Sequence, residues 1–294
     1  MSRIFDALKR SEAERWGDDL LNPPESIADL LQSAERRQVV QAGVLAEPPA
    51  IEPLGLGAGP VLRPAPTPEA RLVCLTDPGS LGAEKFRVLG LRLRNLREKR
   101  KLKRVVVTGT IPSEGKSFIA SNLAINQARS RVLKTLLIDG DFRRPTLAKR
   151  FGVGALLPGL SESLRGERQL SEVVYQIDGS GLWFLPAGIT PENPLELMQS
   201  GRLHEVLDRL GTFFDWIIID TPPMFPVADT TLWTKLSDGV LLVVREGVSE
   251  KKLLQRALEL LDPAIVLGVV VNSCRSSEHK DYYSRYGQDA LKSD

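Results

Sequence analysis

Residues 105–117 read Val105-Val-Val-Thr-Gly109-Thr-Ile-Pro-Ser-Glu-Gly115-Lys116-Ser117. The apolar β-branched run predicts a buried strand, and Gly115-Lys116-Ser117 predicts a tight turn that opens a helix. A strand, a glycine-rich loop and a helix start in this order form the context of a phosphate-binding loop, or P-loop. Five residues separate Gly109 from Gly115, one more than the usual spacing.

The residue types of this loop suit the binding of a nucleotide triphosphate. Inward-pointing backbone N–H groups and the positive end of a helix dipole attract phosphate oxygens, and glycine permits their close approach. A lysine at this position reaches the β- and γ-phosphates, and the hydroxyl that follows it ligates Mg²⁺. The residues expected to bind the nucleotide are Gly109, Thr110, Ser113, Glu114, Gly115, Lys116, Ser117 and Phe118.

Further apolar runs follow the loop at 136–138, 217–219, 240–244 and 266–271. They do not alternate with polar residues, which is typical of parallel strands covered by helices on both faces. Helical stretches lie between or before them at 84–99, 117–129 and 251–261. The chain is therefore predicted to be an α/β P-loop NTPase with a doubly wound, mostly parallel sheet.

Two aspartates end the strand that follows the P-loop, in Leu136-Leu-Ile-Asp139-Gly-Asp141-Phe-Arg143. Residues two apart on an extended backbone share a side, with Cα atoms ~7 Å apart at the strand rise. Both carboxylates are compatible with one Mg²⁺ and its waters. Arg143 shares that side while the backbone stays extended, where it would meet a phosphate or a phosphate acceptor.

A further aspartate ends the strand in Ile217-Ile-Ile-Asp220-Thr-Pro222-Pro223. An aspartate here holds a Mg²⁺-bound water in P-loop proteins, as the Walker B residue. Ligands of open α/β sheets bind at the carboxyl ends of the strands. All three motifs end strands, so we expect Lys116, Asp139, Asp141 and Asp220 to meet at one edge of the sheet.

The two ends of the chain differ in composition from its centre. Residues 1–70 are expected to be a tail with short helices and a Pro-rich linker, followed by an ATP-binding domain at 71–275. Residues 276–294 are polar and are expected to form a flexible tail. An amphipathic helix at 2–16 is either a tethered tail or a docking peptide. Neither a secretory signal nor a membrane span is expected.

The bulk composition excludes several classes of protein. A net charge of +2 argues against a dedicated nucleic-acid binder, which would carry a marked basic excess. The two cysteines, Cys74 and Cys274, lie far apart without metal-ligand spacing and fit a reducing compartment. We therefore expect a cytoplasmic protein without a membrane span of its own.

The motifs together resemble those of the bacterial tyrosine kinases of capsule and exopolysaccharide synthesis, the BY-kinases, within the MinD/ParA group of P-loop ATPases. The Walker A loop corresponds to 109–117, the Asp-x-Asp-x-Arg motif to 138–143 and the Walker B motif to 219–223. The segments 186–197 and 237–239 also resemble the family. The resemblance covers residue 80 to the C-terminus.

The resemblance implies a set of roles. ATP and Mg²⁺ would be bound by Lys116 and Ser117, while Asp139 and Asp141 would order the metal and activate a tyrosine hydroxyl. Asp220 would complete the metal site. The implied catalytic residues are Lys116, Asp139, Asp141 and Arg143, and the implied metal ligands are Ser117, Asp139, Asp141 and Asp220.

The family also implies an acceptor and a partner. The phosphate would pass to Tyr282, Tyr283 or Tyr286 in the polar tail, presented to a neighbouring subunit of a homo-oligomer. The cytoplasmic end of a membrane polysaccharide copolymerase would be the activator, which would recruit the protein to the inner face of the plasma membrane. Asn272 matches an asparagine that contacts adenine in the wider group, and it also suits a turn.

The sequence departs from the family in one motif. The Glu-x-x-Arg-x-x-Arg motif of ring assembly would fall at Glu84, Arg87 and position 90, which is Gly90. Arg92 is two residues away, which on a helix is a turn of about 200°. The basic stretch 92–104 is either a contact for acidic lipid or a partner, or a solvated face.

Three other functions compete with an autokinase. A MinD/ParA-like ATPase switch usually has a signature lysine near the loop start, where this chain has Gly109, Thr110 and Ile111. A scaffold that binds ATP without transfer is disfavoured by the complete set of aspartates. An iron–sulfur ATPase is disfavoured by the placement of the two cysteines.

Overall fold

The predicted strands lie at the centre of one eight-stranded sheet. The computed structural model describes residues 59–130, 132–154, 157–225 and 228–274. The strands are β1 (Val61–Leu62), β2 (Arg104–Gly109), β3 (Thr135–Asp139), β4 (Tyr175–Ile177), β5 (Leu182–Leu185), β6 (Trp216–Asp220), β7 (Gly239–Arg245) and β8 (Val266–Asn272). The helices are α1 (Val73–Thr76), α2 (Leu81–Lys99), α3 (Lys116–Ala128), α4 (Leu147–Phe151), α5 (Leu160–Arg165), α6 (Leu170–Val173), α7 (Pro194–Gln199), α8 (Arg202–Phe213), α9 (Asp229–Lys235) and α10 (Lys251–Leu260).

The strand order is β1-β4-β5-β3-β6-β2-β7-β8, and all neighbours run parallel except β4 and β5. The predicted fold class is therefore confirmed. In this arrangement the phosphate-loop strand β2 lies between β6 and β7, and β3 lies beside β6. The strands that carry the three sequence motifs are thus neighbours, and their carboxyl ends lie along one edge.

Both faces of the sheet are buried, which explains why the strand sequences do not alternate with polar residues. Val106, Ile217 and Ile219 belong to a core on one face, with side chains of α5, α7, α8 and α9. Val105 and Ile218 belong to a second core on the other face, with α2 and α3. Successive residues of a strand point to opposite faces, so each strand supplies apolar side chains to both cores.

Part of the segment assigned to the Pro-rich linker belongs to the sheet. Val61 and Leu62 pair in parallel with Gln176 and Ile177 of β4. Strands β4 and β5 form an antiparallel pair of three and four residues that the sequence analysis did not identify. Short apolar runs carry little periodicity, so such edge strands are hard to separate from loops. The domain boundary near residue 71 stays a prediction, and the amphipathic segment 2–16 lies outside the described residues.

Most basic side chains of the stretch 92–104 contact other groups within the protein. Its charged side chains contact groups near the amino-terminal ends of the strands: Arg97 with Asp215 at 3.5 Å, Arg104 with Asp208 at 2.5 Å, Lys103 with the Gly211 carbonyl at 2.5 Å and Arg100 with the Asp238 carbonyl at 3.2 Å. These contacts lie at the sheet edge opposite the three motifs. The stretch therefore stabilises the junction of α2 and β2.

Gly90 has a structural explanation in the packing of α2 on α3. An added Cβ at Gly90 would lie 2.3 Å from Nδ2 of Asn126, and the Gly90 carbonyl accepts a hydrogen bond from Gln127 at 3.3 Å. Asn126 is buried on α3, so it has little room to move away. The glycine thus permits close approach of the two helices, where an arginine would not fit.

We predict that Gly90→Arg lowers the free energy of unfolding by about 2 kcal/mol or more, because it overpacks the interface and buries a charge. Thermal or urea unfolding of the two proteins measures this. Gly82→Ala on the same helix is the control, since an added Cβ there meets side-chain atoms at 3.4 Å or more. Equal stability of Gly90→Arg and the natural protein would contradict this packing.

Candidate active site

The predicted P-loop joins β2 to α3 in the expected way. Strand β2 ends at Gly109 and α3 begins at Lys116, after Gly115 with a φ of 98°. No side chain caps the first turn of α3, so its N–H groups are available to an anion. The ammonium group of Lys116 is buried and donates to the Ile111 carbonyl at 3.1 Å.

Glu114 is folded into the loop and is fully buried. Its carboxylate accepts hydrogen bonds from the Thr110 hydroxyl at 2.6 Å, the Ile111 N–H at 3.0 Å and the Ser249 hydroxyl at 2.5 Å. The Glu114 side chain therefore shapes the loop and connects it to the segment after β7. If Glu114 contributes to nucleotide binding, as predicted, its backbone groups would do so and its carboxylate would not.

Asn272 is the last residue of β8, and its side chain contacts the loop directly. The amide Nδ2 donates to the Glu114 carbonyl at 2.9 Å. It lies so close to Gly115 that an added Cβ there would be 2.1 Å from it. Phe118, on the first turn of α3, packs edge-on against Phe86 with ring centroids 5.6 Å apart. The predicted part of Asn272 and Phe118 in nucleotide binding stays a prediction.

Asp139 and Asp220 are direct neighbours in the parallel pair β3–β6. Both are 1% exposed. One carboxylate oxygen of Asp139 accepts the N–H groups of Thr146 and Leu147 at 3.1 and 3.0 Å, and the other accepts that of Asp141 at 3.3 Å. Asp139 thus fixes the start of α4, and its role as a metal ligand stays a prediction.

The Asp220 carboxylate has fewer hydrogen-bond partners than that of Asp139. Its Oδ1 is buried without a hydrogen-bond partner in the described part of the chain. The Ser117 side chain hydrogen-bonds to Asp220, and the Thr146 hydroxyl donates to Ser117 Oγ at 3.2 Å. An orphaned carboxylate oxygen beside a P-loop hydroxyl is the donor set that a hard cation requires. No three carboxyl, imidazole or thiol groups converge as a ready metal cage within the described ranges.

The pKa shifts of these groups arise first from burial, and repulsion between neighbouring carboxylates adds to them. Burial raises the pKa of Asp220 to about 7, against the opposing effects of Ser117 and Lys116. Burial and the neighbouring charge of Asp220 raise the pKa of Asp139 well above its usual value, and burial also raises that of Asp141. Burial lowers the pKa of Lys116, although the nearby carboxylates oppose this. A bound cation would relieve this repulsion.

Strand β3 ends at Asp139, and the backbone does not stay extended as far as Arg143. The condition under which Arg143 would share a side with Asp139 and Asp141 is therefore not met. Asp141 Oδ1 instead accepts the N–H groups of Arg143 and Arg144 at 3.2 and 3.0 Å. The guanidinium of Arg143 makes a two-bond pair with Asp229, at 2.7 and 3.1 Å. Asp229 is buried at the start of α9.

Helix α9 connects the two aspartate motifs. Trp233 Nε1 donates to the Gly140 carbonyl at 3.1 Å, and the Thr230 hydroxyl donates to the Pro222 carbonyl at 2.9 Å. An added Cβ at Gly140 would lie 2.8 Å from the Asp220 carbonyl and 2.9 Å from the Trp233 ring. The glycine between the two aspartates is therefore required by this close packing.

The sequence analysis missed Asp229 and Trp233, because they belong to no motif and contact the site only through the fold. The predicted acceptors Tyr282, Tyr283 and Tyr286 lie outside the described residues. No described helix combines the length and apolar character needed to cross a membrane.

Comparisons with known proteins identify the family of the chain. No model of a known protein family matches the sequence. The chain is 32% identical over 216 residues to the tyrosine-protein kinase YwqD of Bacillus subtilis, covering 73% of this chain and 90% of that protein. Among solved structures, the chimerical protein CapA2B2 has a TM-score of 0.66 and 31% identity, and covers 74% of this chain and 96% of that one.

The kinase domain of Escherichia coli tyrosine kinase ETK has a TM-score of 0.64 and 30% identity, over 70% of this chain and 82% of that domain. Each of these similarities covers 70% or more of this chain. The chain therefore belongs to the family of bacterial tyrosine-protein kinases.

Proposed function

We propose that the protein is an autokinase that transfers the γ-phosphate of ATP to Tyr282, Tyr283 or Tyr286. The observation that carries this proposal is the meeting of Lys116, Ser117 and the buried carboxylates of the β3–β6 pair at one sheet edge. Family membership supports the reaction, and three of the chain's four tyrosines lie within residues 282–286.

Each group at this edge has a chemical task in the proposed transfer. The buried ammonium of Lys116 neutralises charge that develops on the phosphate oxygens, and the free N–H groups of α3 bind them. Ser117 and Asp220 are the groups that would hold Mg²⁺, directly or through water. When bound, Mg²⁺ would neutralise the phosphates and place them in line with the acceptor.

We propose Asp141 as the group that takes the tyrosine proton. Its Oδ1 accepts two backbone N–H groups, so within the described residues Oδ2 is left for the acceptor. Both oxygens of Asp139 are occupied by backbone donors. In the transfer the tyrosine oxygen forms a bond to the γ-phosphorus, the bond to the bridging β,γ-oxygen breaks, and ADP leaves. The tyrosine proton moves to Asp141.

The proposal includes regulation of capsule or exopolysaccharide polymerisation and export. A phosphotyrosine carries about −1.5 to −2 charges, so several in one tail repel each other and any acidic surface. Phosphorylation would thus change self-assembly. Activation would come from the cytoplasmic end of a membrane polysaccharide copolymerase, which would bring the protein to the inner face of the plasma membrane. The chimeric nature of the solved relative CapA2B2 fits a kinase that works with a second component.

We predict that purified protein incubated with labelled ATP and Mg²⁺ incorporates phosphate, and that phosphopeptide mapping places it on Tyr282, Tyr283 or Tyr286. The Lys116→Ala variant and the triple Tyr→Phe variant of the tail should lose the label. Tyr175→Phe is the matched control, because that tyrosine is buried in β4 with its hydroxyl bonded to the Pro158 carbonyl at 3.2 Å.

The assay is run with and without a cytoplasmic fragment of the membrane activator. Release of phosphate in both arms without any labelling of the protein would reject the autokinase in favour of a MinD/ParA-like switch. Failure to bind ATP would reject both.

We predict that Asp220→Asn stabilises the nucleotide-free protein, and more so at high pH. A carboxyl group with a pKa of about 7 when folded and 3.8 when unfolded binds a proton on folding, so stability falls as pH rises between these values. The substitution removes this cost. The melting temperature of the variant should exceed that of the natural protein by about 2 °C or more at pH 8, and by less at pH 5.

Asp208→Asn is the control for this titration, since the hydrogen bond from Arg104 lowers the pKa of that exposed carboxyl. The Asp208→Asn substitution should lower the melting temperature, and this decrease should become smaller as the pH falls. Added Mg²⁺ and ADP should stabilise the natural protein more than Asp220→Asn. Equal melting temperatures of the natural protein and Asp220→Asn at pH 8 would contradict the repulsion described above.

We predict that Asp229→Asn lowers kcat about tenfold and leaves the affinity for Mg-ADP unchanged, because it releases the guanidinium of Arg143 without touching the P-loop. Initial rates of phosphotransfer and ADP titrations give the two quantities. Asp215→Asn is the control, as it removes the carboxylate of another arginine pair at the far edge of the sheet. A weakened ADP affinity with kcat preserved would assign Asp229 to nucleotide binding instead.

A further inference from the structure

A cavity of about 500 Å³ lies beside the P-loop and is lined by residues of the loop together with residues outside all three motifs. Ser113, Gly115 and Asn272 line it from the loop and from β8. Its other lining includes Arg71, which follows a 3₁₀ turn at Pro68–Ala70, and Arg150 on α4. The segment before the predicted domain boundary therefore forms part of this wall.

Backbone strain is concentrated at the same cavity. Among the described residues, three non-glycine residues have a positive φ: Arg71 at 50°, Ser113 at 67° and Ser273 at 58°. All three line the cavity. Such conformations are energetically unfavourable and cluster at ligand sites, where the surrounding structure holds them. The Arg71 backbone is held in this way by Asn122 of α3, whose Nδ2 donates to the Arg71 carbonyl at 3.0 Å.

Three arginines line the cavity, of which Arg245 donates to the Ser113 carbonyl at 3.4 Å, while Arg71 and Arg150 form no ion pair with a carboxylate within the described ranges. Arg150 Nη1 donates to the Ala70 carbonyl at 2.8 Å, and its Nε is buried without a partner. Burial lowers the pKa of Arg150, and the nearby charge of Arg71 lowers it further. Glu69 also lines the cavity, but its side chain is hydrogen-bonded to Thr67. Arginine side chains that line one cavity and form no direct ion pair are suited to bind an anion.

An apolar cavity of about 470 Å³ adjoins the first one at Phe118, Asn272 and Ser273. It is lined by Phe86 and Leu89 of α2 and by the edge of β8. Apolar and aromatic surfaces suit a nucleobase, whereas arginines suit phosphate oxygens. The two neighbouring cavities thus offer separate surfaces to the two ends of a nucleotide.

We propose that Arg71 and Arg150 bind the phosphate chain of the nucleotide, as a second cationic wall in addition to Lys116. This assignment rests on the proposed ATP-dependent function. It gives the residues before α1 a part in nucleotide binding. Arg150 also interacts electrostatically with the Asp220 carboxylate, which places its charge near the phosphate end of the site.

The test is calorimetric titration of the full chain with Mg-ADP, comparing Arg71→Gln, Arg150→Gln and the double variant with the natural protein. Each single substitution should weaken Mg-ADP binding about tenfold, and the double variant more, as expected for lost charge-assisted hydrogen bonds. Lys149→Gln and Arg63→Gln are matched controls, since both residues are exposed neighbours in sequence that do not line the cavity. These controls should stay within twofold.

Thermal unfolding of each variant without ligand separates loss of binding from loss of structure, and Arg150→Lys provides a variant that keeps the charge. Mg-ADP affinity of the folded double variant within twofold of the natural protein would overturn the assignment. So would a change confined to binding of a phosphotyrosine peptide, which would place the acceptor there instead. If the natural protein itself fails to bind Mg-ADP, the proposed function falls, and this inference falls with it.

Discussion

Strands β3 and β6 pair in parallel with Asp139 opposite Asp220, and this register places two carboxyl groups side by side in the protein interior. Adjacent strands lie about 4.8 Å apart, so the two charges repel strongly unless something compensates them. The fold compensates Asp139 with three backbone N–H groups. It leaves Asp220 with one unpaired oxygen beside Ser117. This unpaired oxygen among the described residues supports the magnesium site proposed above.

The surrounding elements hold this arrangement by contacts between motifs. Glu114 connects the P-loop to the segment after β7 through Ser249, and Asn272 connects it to β8. Helix α9 contacts both aspartate motifs, through Trp233 at Gly140 and Thr230 at Pro222. Contacts among separate stretches of the chain thus fix the positions of these side chains. Preorganisation of this kind is what electrostatic catalysis of phosphoryl transfer requires.

The basic residues of the chain fall into two groups with different surroundings. Those at the amino-terminal edge of the sheet, such as Arg104, are paired with carboxylates or carbonyl groups and are structural. Arg71 and Arg150 line the cavity beside the P-loop and form no ion pair with a carboxylate among the described residues, although Arg150 donates to the Ala70 carbonyl. The distinction explains how a chain with a net charge near zero can still present a concentrated positive site.

The sequence by itself determined the fold class, the central strands and the residues that meet at the site. Short apolar runs without alternation are typical of strands buried on both faces, and a P-loop followed by strand-ending aspartates places all three motifs at one edge. Only the tertiary structure decided the partners of these residues. Asp229, Trp233, Arg71 and Arg150 carry no local signal, because their contacts join residues that are distant in the chain. Periodicity describes which face a residue occupies, whereas hydrogen-bond partners and burial depend on how the elements pack.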